Sequence, residues 1–98
     1  MAEVTFSNAA ETDLIDIDEF SSVRFGDEVG EAYMRGFHLA FARLADFPMA
    51  GPELPDYGLG IRCLKRGSHR IFYRMNGEDV LILRILHHAR DAKSSLIE

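Results

Sequence analysis

The chain has 98 residues, 47% of them hydrophobic, and a net charge of −5 at pH 7. This length predicts one domain over residues 1–98, because hydrophobic cores divide only in considerably longer chains. The acidic balance argues against a general nucleic-acid binder, and no apolar run is long enough to span a membrane.

The N-terminus and the cysteine content predict a cytoplasmic protein. The first residues are acidic and lack the positive and apolar regions of a secretory signal. A single cysteine, Cys63, cannot form an internal disulfide, which fits a reducing compartment. We expect Cys63 to be a buried, inert thiol, and a nucleophile is the alternative.

The first half of the chain predicts a short strand and a helical hairpin. Alternation over Glu3–Phe6 is typical of a strand, and Asn8 with Glu11 three residues later predicts a capping box at a helix start. A second helix is predicted over about Asp27–Asp46, and Gly26 between the two helices indicates an antiparallel hairpin.

The first helix also carries a group of acidic residues. Because most of them lie off its apolar stripe, we interpret them as a solvated face, and those near the helix start also favour the helix dipole. A catalytic or metal-binding cluster is the alternative. The group comprises Glu11, Asp13, Asp16, Asp18 and Glu19.

A stretch rich in proline and glycine follows over Pro48–Gly60. A loop of roughly a dozen residues is long for a small domain. We interpret it as the crossover from the helical layer back to a sheet, and a functional loop is the alternative.

The second half predicts a three-stranded antiparallel meander, with strands over Ile61–Lys65, Ser68–Met75 and Glu78–His87. The pair Asn76-Gly77 is typical of a two-residue type I′ turn. The predicted fold class is therefore α+β, with one N-terminal strand, an antiparallel helical hairpin and the meander. The helices are expected to pack on one face of the sheet.

The Asn76-Gly77 turn also predicts the register of the last two strands. It would place Tyr73 opposite Val80 and His69 opposite Arg84.

The last strand is apolar on both faces over Val80–Leu86. One face must pack on the helices, and the other requires a different cover. We expect a partner protein across the sheet, and the alternative is a cover made by the chain's own loops and C-terminal tail.

Charge is distributed unevenly along the chain. Residues 1–59 hold three arginines and twelve acids, a net charge of −9, whereas residues 60–93 hold eight basic and three acidic residues, a net charge of +5. This asymmetry indicates either a charged partner or neutralisation of one half by the other within the fold.

The basic half suggests two kinds of chemistry. A metal-independent ribonuclease would use cations to stabilise a phosphate transition state and a histidine to move the proton. Neighbouring residues on a strand point to opposite faces, so the last two histidines do not predict a shared metal ion, and no metal or cofactor is predicted. The nuclease candidates are Arg62, Lys65, His69, Arg84, His87 and His88.

The order and spacing of several short motifs resemble the ParE branch of the RelE/ParE superfamily of bacterial toxins. These toxins belong to type II toxin–antitoxin systems, including plasmid-stabilisation systems. The resemblance covers roughly residues 4–93. The motifs are Ala10, Asp13, Leu14 and Ile17; Phe25-Gly26; Phe47-Pro48 with Gly51; Gly60-Ile61-Arg62; Phe72-Tyr73-Arg74; Ile82–His87; and Arg90-Asp91.

The resemblance implies the same order of elements and a partner of the ParD type. That partner is a ribbon-helix-helix antitoxin whose C-terminal segment wraps the toxin and which alone contacts DNA. The activity implied is inhibition of DNA gyrase by protein–protein contact, without turnover and without a membrane. Candidate contacts to the target or antitoxin are Arg62, Arg70, Arg74, Arg84, His87 and Arg90.

The RelE branch provides the alternative, a ribosome-dependent messenger-RNA endonuclease. That branch uses a basic cluster with a tyrosine or histidine near the C-terminus. This chain has no tyrosine after the last strand, and Tyr73 is expected in the core. His87 or His88 could replace the terminal group. A small binding module that does not harm the cell is a third interpretation.

Overall fold

The computed structural model describes residues 1–97, with the side chain of Ile97 excepted. They form an α+β fold in which a helical hairpin packs on a four-stranded sheet, so the predicted fold class is confirmed. The elements are β1 Val4–Phe6, α1 Asn8–Phe25, α2 Asp27–Asp46, a single 3₁₀ turn Pro55–Tyr57, β2 Arg62–Arg66, β3 His69–Asn76, β4 Asp79–His87 and α3 Ala92–Ile97.

The sheet has the strand order β1-β4-β3-β2. Strands β2, β3 and β4 form the predicted antiparallel meander, and β1 joins its far side parallel to β4. The helix α3 was not predicted. None of the helices described is long and apolar enough to cross a membrane.

The hairpin turns at Gly26, as predicted, where the positive φ of 86° favours glycine. The Ser22 hydroxyl donates a hydrogen bond to the Asp27 carboxylate across this turn. The inner stripe of α2 then buries Phe37 and Leu44 fully against the sheet.

The helix α1 begins one residue earlier than the predicted capping box requires. Ser7, and not Asn8, is the N-cap, because its Oγ accepts the Ala10 amide at 3.0 Å. The same hydroxyl donates to the Leu83 carbonyl at 2.7 Å. Ser7 thus both caps the helix and joins it to β4, which a capping pattern alone does not reveal.

The predicted register between β3 and β4 is wrong. Asn76 pairs with Asp79, so the turn consists of Gly77 and Glu78. Of these residues Gly77 alone has a positive φ, of 67°. The predicted type I′ turn at Asn76-Gly77 would need a positive φ at Asn76 as well. As a result, Tyr73 lies opposite Ile82 instead of Val80.

A β-bulge shifts the register further. Tyr73 pairs with Ile82 but Phe72 pairs with Arg84, so Leu83 is an extra residue in β4. Beyond this bulge His69 lies opposite His87, not Arg84. The bulge also reverses which residues of β4 face the helices.

The second face of the sheet is covered by the chain itself. Cys63, Phe72 and Leu86 are buried there together with Ala92 of α3. The 3₁₀ turn and the rest of the crossover loop complete this cover, and Tyr57 stacks on Phe72 with 5.6 Å between ring centroids. The alternative of a cover made by loops and tail is therefore confirmed, so an uncovered apolar face is not an argument for a partner protein.

Candidate functional site

Three histidines meet at one end of the sheet. His69 of β3 lies opposite His87 of β4, with 5.5 Å between ring centroids, and the His88 ring lies 4.3 Å from that of His87. His88 follows the strand, and its amide donates to the Ser68 carbonyl at 2.9 Å. The prediction that His87 and His88 are kept apart by strand alternation is therefore wrong, because the strand ends between them.

Tyr33 of α2 completes this group, which we call the histidine cluster (Tyr33, His69, His87 and His88). The Tyr33 hydroxyl lies 2.6 Å from His69 Nδ1 and accepts the Ser68 amide at 3.1 Å. The Tyr33 hydroxyl and His69 Nδ1 therefore share a hydrogen bond, in which the tautomer of the imidazole decides which of the two atoms donates.

The surroundings of His69 favour the neutral form of its imidazole. Burial lowers the pKa of His69 below its ordinary value, and electrostatic interaction with His87 and His88 lowers it further, against a smaller opposing effect of Asp13. A neutral imidazole beside a phenol can accept or relay a proton. Within residues 1–97 there is no group of three or more histidine, cysteine or carboxylate side chains suited to hold a metal ion.

The sequence analysis did not single out Tyr33, which lies at helical spacing from Phe37 in the apolar stripe of α2. The one available signal was a tyrosine in a stripe whose other members are apolar, because a partly buried hydroxyl requires a partner. The stripe could not show that the partner is His69, which lies 36 positions later.

An apolar groove opens beside the histidine cluster. This cavity of about 350 Å³ is lined by Phe20, Ser21, Phe25, Val29, Tyr33, Ser68, His69 and His87. Several apolar side chains at the tip of the hairpin are largely exposed, with Phe20 at 61%, Val23 at 89% and Phe25 at 58%. We call Phe20, Val23, Phe25 and Val29 the hairpin-tip patch.

Two of the candidate arginines are held within the fold. Arg84 binds Asp13 through two hydrogen bonds, from Nε at 2.8 Å and Nη2 at 3.0 Å, and also donates to the Ser95 carbonyl. Arg62 donates to the Gly51 carbonyl at 2.8 Å and lies 3.9 Å from Glu53. Both guanidinium groups thus have partners elsewhere in the chain than the histidine cluster.

Asp13 corrects the interpretation of the acidic residues on α1. Its carboxylate is only 11% exposed and accepts the Ile85 amide at 2.9 Å as well as the two Arg84 bonds. The pairing of β1 with β4 ends at Ile82, and the Asp13 carboxylate therefore accepts a backbone N–H of β4 that β1 does not reach. The other four acids, Glu11, Asp16, Asp18 and Glu19, are exposed, as predicted for a solvated face.

The remaining cations lie on or near the second face. Arg70 is half-buried over the Phe72 ring, 5.1 Å from its centroid, and donates to the Arg90 carbonyl at 3.1 Å. Lys65 lies opposite Arg70 and is exposed, as are the side chains of Arg74 and Arg90.

Cys63 and Tyr73 are core residues, as predicted. Burial raises the pKa of the Cys63 thiol, although the charges of Arg70 and Lys65 oppose this shift. Burial also raises the pKa of Tyr73, whose hydroxyl donates to the Pro48 carbonyl at 2.8 Å and accepts the Gly51 amide at 2.8 Å. Neither group is available for chemistry.

The six nuclease candidates are therefore divided between separate places. The structure brings His69, His87 and His88 together, while Arg62 and Arg84 are bound elsewhere in the fold. Lys65 points to the opposite face of the sheet from His69, because it pairs with Arg70. The cluster provides groups of the kind that accept or relay a proton, while Arg62 and Arg84 are engaged by Gly51 and Asp13.

Comparison with known proteins identifies the class. The chain matches the model of the family described as "ParE toxin of type II toxin-antitoxin system, parDE" over residues 4–92. It is 34% identical over 91 residues to Toxin ParE1 of Mycobacterium tuberculosis, covering 92% of this chain and 93% of that protein. Its identity to Toxin ParE1 of Caulobacter vibrioides is 33% over 96 residues, covering 98% and 99%. The chain therefore belongs to the ParE toxin family of type II toxin–antitoxin systems.

Solved structures share the fold. A chain of the chromosomal ParDE system from P. aeruginosa superposes with a TM-score of 0.75 at 24% identity, covering 89% of this chain and 96% of that one. A chain of the toxin–antitoxin complex RelBE2 from Mycobacterium tuberculosis gives a TM-score of 0.64 at 26% identity, covering 89% and 98%.

Proposed function

We propose that this chain inhibits DNA gyrase by protein–protein contact and is neutralised by a ParD-like ribbon-helix-helix antitoxin. It acts in the cytoplasm without turnover, and it reaches DNA only through the antitoxin. Membership of the ParE family supports this proposal. The similar structures include the toxin–antitoxin complex RelBE2 and a ParDE system, which supports an antitoxin partner.

The observation that carries the proposal is the hairpin-tip patch. Its four apolar side chains are each more than half exposed on adjoining helices. Exposed apolar patches of this kind mark protein–protein contacts, and they are not needed for the chemistry of an RNA phosphate. The patch therefore favours action through a protein surface.

Most contact residues proposed from the sequence lie apart from the hairpin-tip patch, and His87 is the one that lines the groove beside it. Arg70, Arg74, His87 and Arg90 are on the side of the sheet or at its end and remain proposed contacts to the target or antitoxin. Arg62 and Arg84 remain in the proposal as well, and their bonds within the fold mean that their replacement must be checked for unfolding.

The gyrase proposal is tested with purified toxin in a supercoiling assay. We expect inhibition by the wild type, and at least a tenfold weaker effect for the double variant Phe20→Ser with Phe25→Ser. Leu59→Ser is the matched control, since Leu59 is 98% exposed in the crossover loop and should retain inhibition. Gyrase that is unaffected by excess wild-type toxin would exclude this target.

A second candidate function is supported by the histidine cluster. A ribosome-dependent ribonuclease could use His69, His87 or His88 with Tyr33 for proton transfer. Primer extension on messages after induction would then show codon-linked cuts that disappear in the variant His87→Ala. Intact messages in arrested cells would exclude this function. Unimpaired colony formation after induction would instead favour a harmless binding module.

A further inference from the structure

The outer edge of β2 is only partly covered. The Cys63 amide donates away from β3 to the Pro52 carbonyl at 3.1 Å, and the Leu54 amide donates to the Ile61 carbonyl at 2.8 Å. The segment Pro52–Leu54 thus acts as a short neighbouring strand up to Cys63. Because outward and inward groups alternate along an edge strand, the amide and carbonyl of Lys65 also point away from β3.

Two grooves flank this edge and share Leu64 and Lys65. The groove on the helix side, of about 360 Å³, is lined by Gly36, Leu39, Ala40, Arg43, Leu64, Lys65 and Arg66. The groove on the opposite side, of about 540 Å³, is lined by Pro52, Leu54, Tyr57, Cys63, Leu64, Lys65 and Arg70. Side chains of a strand added at this edge would alternate between the two grooves.

The two linings are apolar with a strong positive charge. They contain four cations, Arg43, Lys65, Arg66 and Arg70, and no carboxylate. Among the described residues none of these four makes an ion pair, and the buried Arg70 Nε has no hydrogen-bond partner. A buried donor without an acceptor is unfavourable, so an incoming carboxylate would stabilise this arginine.

Gly36 provides the space for one of these cations. A Cβ atom at position 36 would lie 1.9 Å from Arg66 Nη2, so the guanidinium lies directly against the backbone of α2. Any larger residue there would displace Arg66 from the groove.

From these contacts we propose that the free edge of β2 binds an extended, acidic segment of the antitoxin as a fifth strand. The segment pairs with the Lys65 amide and carbonyl, and places apolar and acidic side chains alternately in the two grooves. An acidic segment complements the four cations of the grooves, whereas the same edge of a second copy would bring four more cations. The inference rests on the proposed antitoxin, and it adds the mode of binding and the chemistry of the bound segment.

The experiment uses as its probe the product of the reading frame next to the toxin gene, where the proposed antitoxin would be encoded. Hydrogen exchange of the wild-type toxin is measured alone and in the complex, and we expect strong protection of the Lys65 amide only in the complex. Protection of Lys65 in toxin alone that increases with its concentration would indicate self-pairing and overturn the proposal.

Two variants distinguish the contribution of backbone pairing at Lys65 from the contribution of its side-chain charge. Lys65→Ala removes the cation and keeps the amide, whereas Lys65→Pro removes both without breaking a bond to β3, as edge strands permit. We expect Lys65→Pro to bind the antitoxin roughly tenfold more weakly than Lys65→Ala, the effect of losing about one good hydrogen bond. Matching thermal unfolding of the two variants would show that both are folded.

The outcomes distinguish the two proposals. If the adjacent protein does not bind wild-type toxin, the proposed antitoxin and this inference both fail. If it binds, but the Lys65 amide exchanges freely and the two variants bind equally, only the fifth strand is disproved. Gly36→Ala provides an independent measurement, because displacing Arg66 should weaken binding by several-fold while Lys65 stays protected.

Discussion

At the residue scale, the Asp13 carboxylate accepts three hydrogen bonds and is only 11% exposed. It joins α1 to β4 by binding the Arg84 guanidinium and the Ile85 amide at once. Both charged side chains are mostly buried, with exposures of 15% for Arg84 and 11% for Asp13. Removing one member of such a pair leaves the other buried without compensation.

We therefore expect Asp13→Ala to lower the free energy of unfolding by about 2 to 4 kcal/mol. Asp16→Ala is the control on the same helix, and because Asp16 is exposed its effect should stay within about 0.5 kcal/mol. Urea unfolding of both variants provides the measurement. Equal midpoints would contradict a structural role for Asp13.

His69 makes the stability of the fold depend on pH. Its pKa in the folded protein lies below the ordinary value of 6.5 because of burial and the neighbouring histidines. The unfolded chain therefore binds the proton more readily, and folding stability falls as pH decreases below 6.5 toward the lower folded pKa. Above that ordinary value the contribution is fully present.

The variant His69→Gln should lose part of this pH dependence. Between about pH 8 and pH 5 its unfolding free energy should decline less than that of the wild type, because a glutamine does not titrate. His38→Gln is the control, since His38 is exposed on α2. Parallel pH profiles for the wild type and His69→Gln would contradict the prediction.

At the scale of elements, the sequence predicted what local periodicity determines. The helical hairpin, the glycine turn at Gly26 and the three meander strands follow from patterns within single segments. The register did not follow, because Leu83 is an extra residue that forms a bulge and no local pattern in β4 marks it. The N-terminal strand was predicted, but its parallel pairing with β4 and the helix α3 were not, since both depend on contacts with distant parts of the chain.

The same limit applies to the candidate site. The histidines were found by residue type, but their meeting depends on the bulge, which brings His69 opposite His87. Asp13 and Arg84 were both noted, and their pairing across 71 positions was not predictable from either segment alone. Composition thus indicated which groups matter, whereas the topology decided which of them are near each other.

The cover of the second sheet face gives a prediction at this scale. Leu96 of α3 packs on the cluster that contains Cys63 and Phe72. Leu96→Ser should weaken the cover and cost about 1 to 2 kcal/mol, because apolar area returns to water. The Cys63 thiol should then react several-fold faster with a disulfide reagent under native conditions.

Lys93→Ser is the matched control on the exposed side of α3. It should leave the reactivity of the thiol close to that of the wild type, even though it removes the contact of Lys93 with the Tyr57 ring. Equal thiol reactivity in all three proteins would show that α3 does not shield Cys63.

At the scale of the whole molecule, folding leaves most of the charge asymmetry unneutralised. The described residues hold two ion pairs, Arg84–Asp13 and Arg62–Glu53, although residues 1–59 carry a net charge of −9 and residues 60–93 one of +5. The acidic charge lies mainly on the helices and the basic charge mainly on the sheet. A molecule polarised in this way attracts a charged partner to one side.

This polarity predicts that salt slows association with the antitoxin. Raising the ionic strength from about 0.05 to 0.5 M should lower the association rate constant by roughly tenfold, because screening shortens the range of charge attraction. The dissociation rate constant should change much less, since it depends on close packing and backbone hydrogen bonds. Arg74→Gln, on the exposed side of β3, should reduce the salt dependence, whereas Arg24→Gln, at the end of α1, should not. Stopped-flow or surface-binding kinetics would measure both constants, and an association rate independent of salt would show that the basic side of the sheet does not guide the antitoxin.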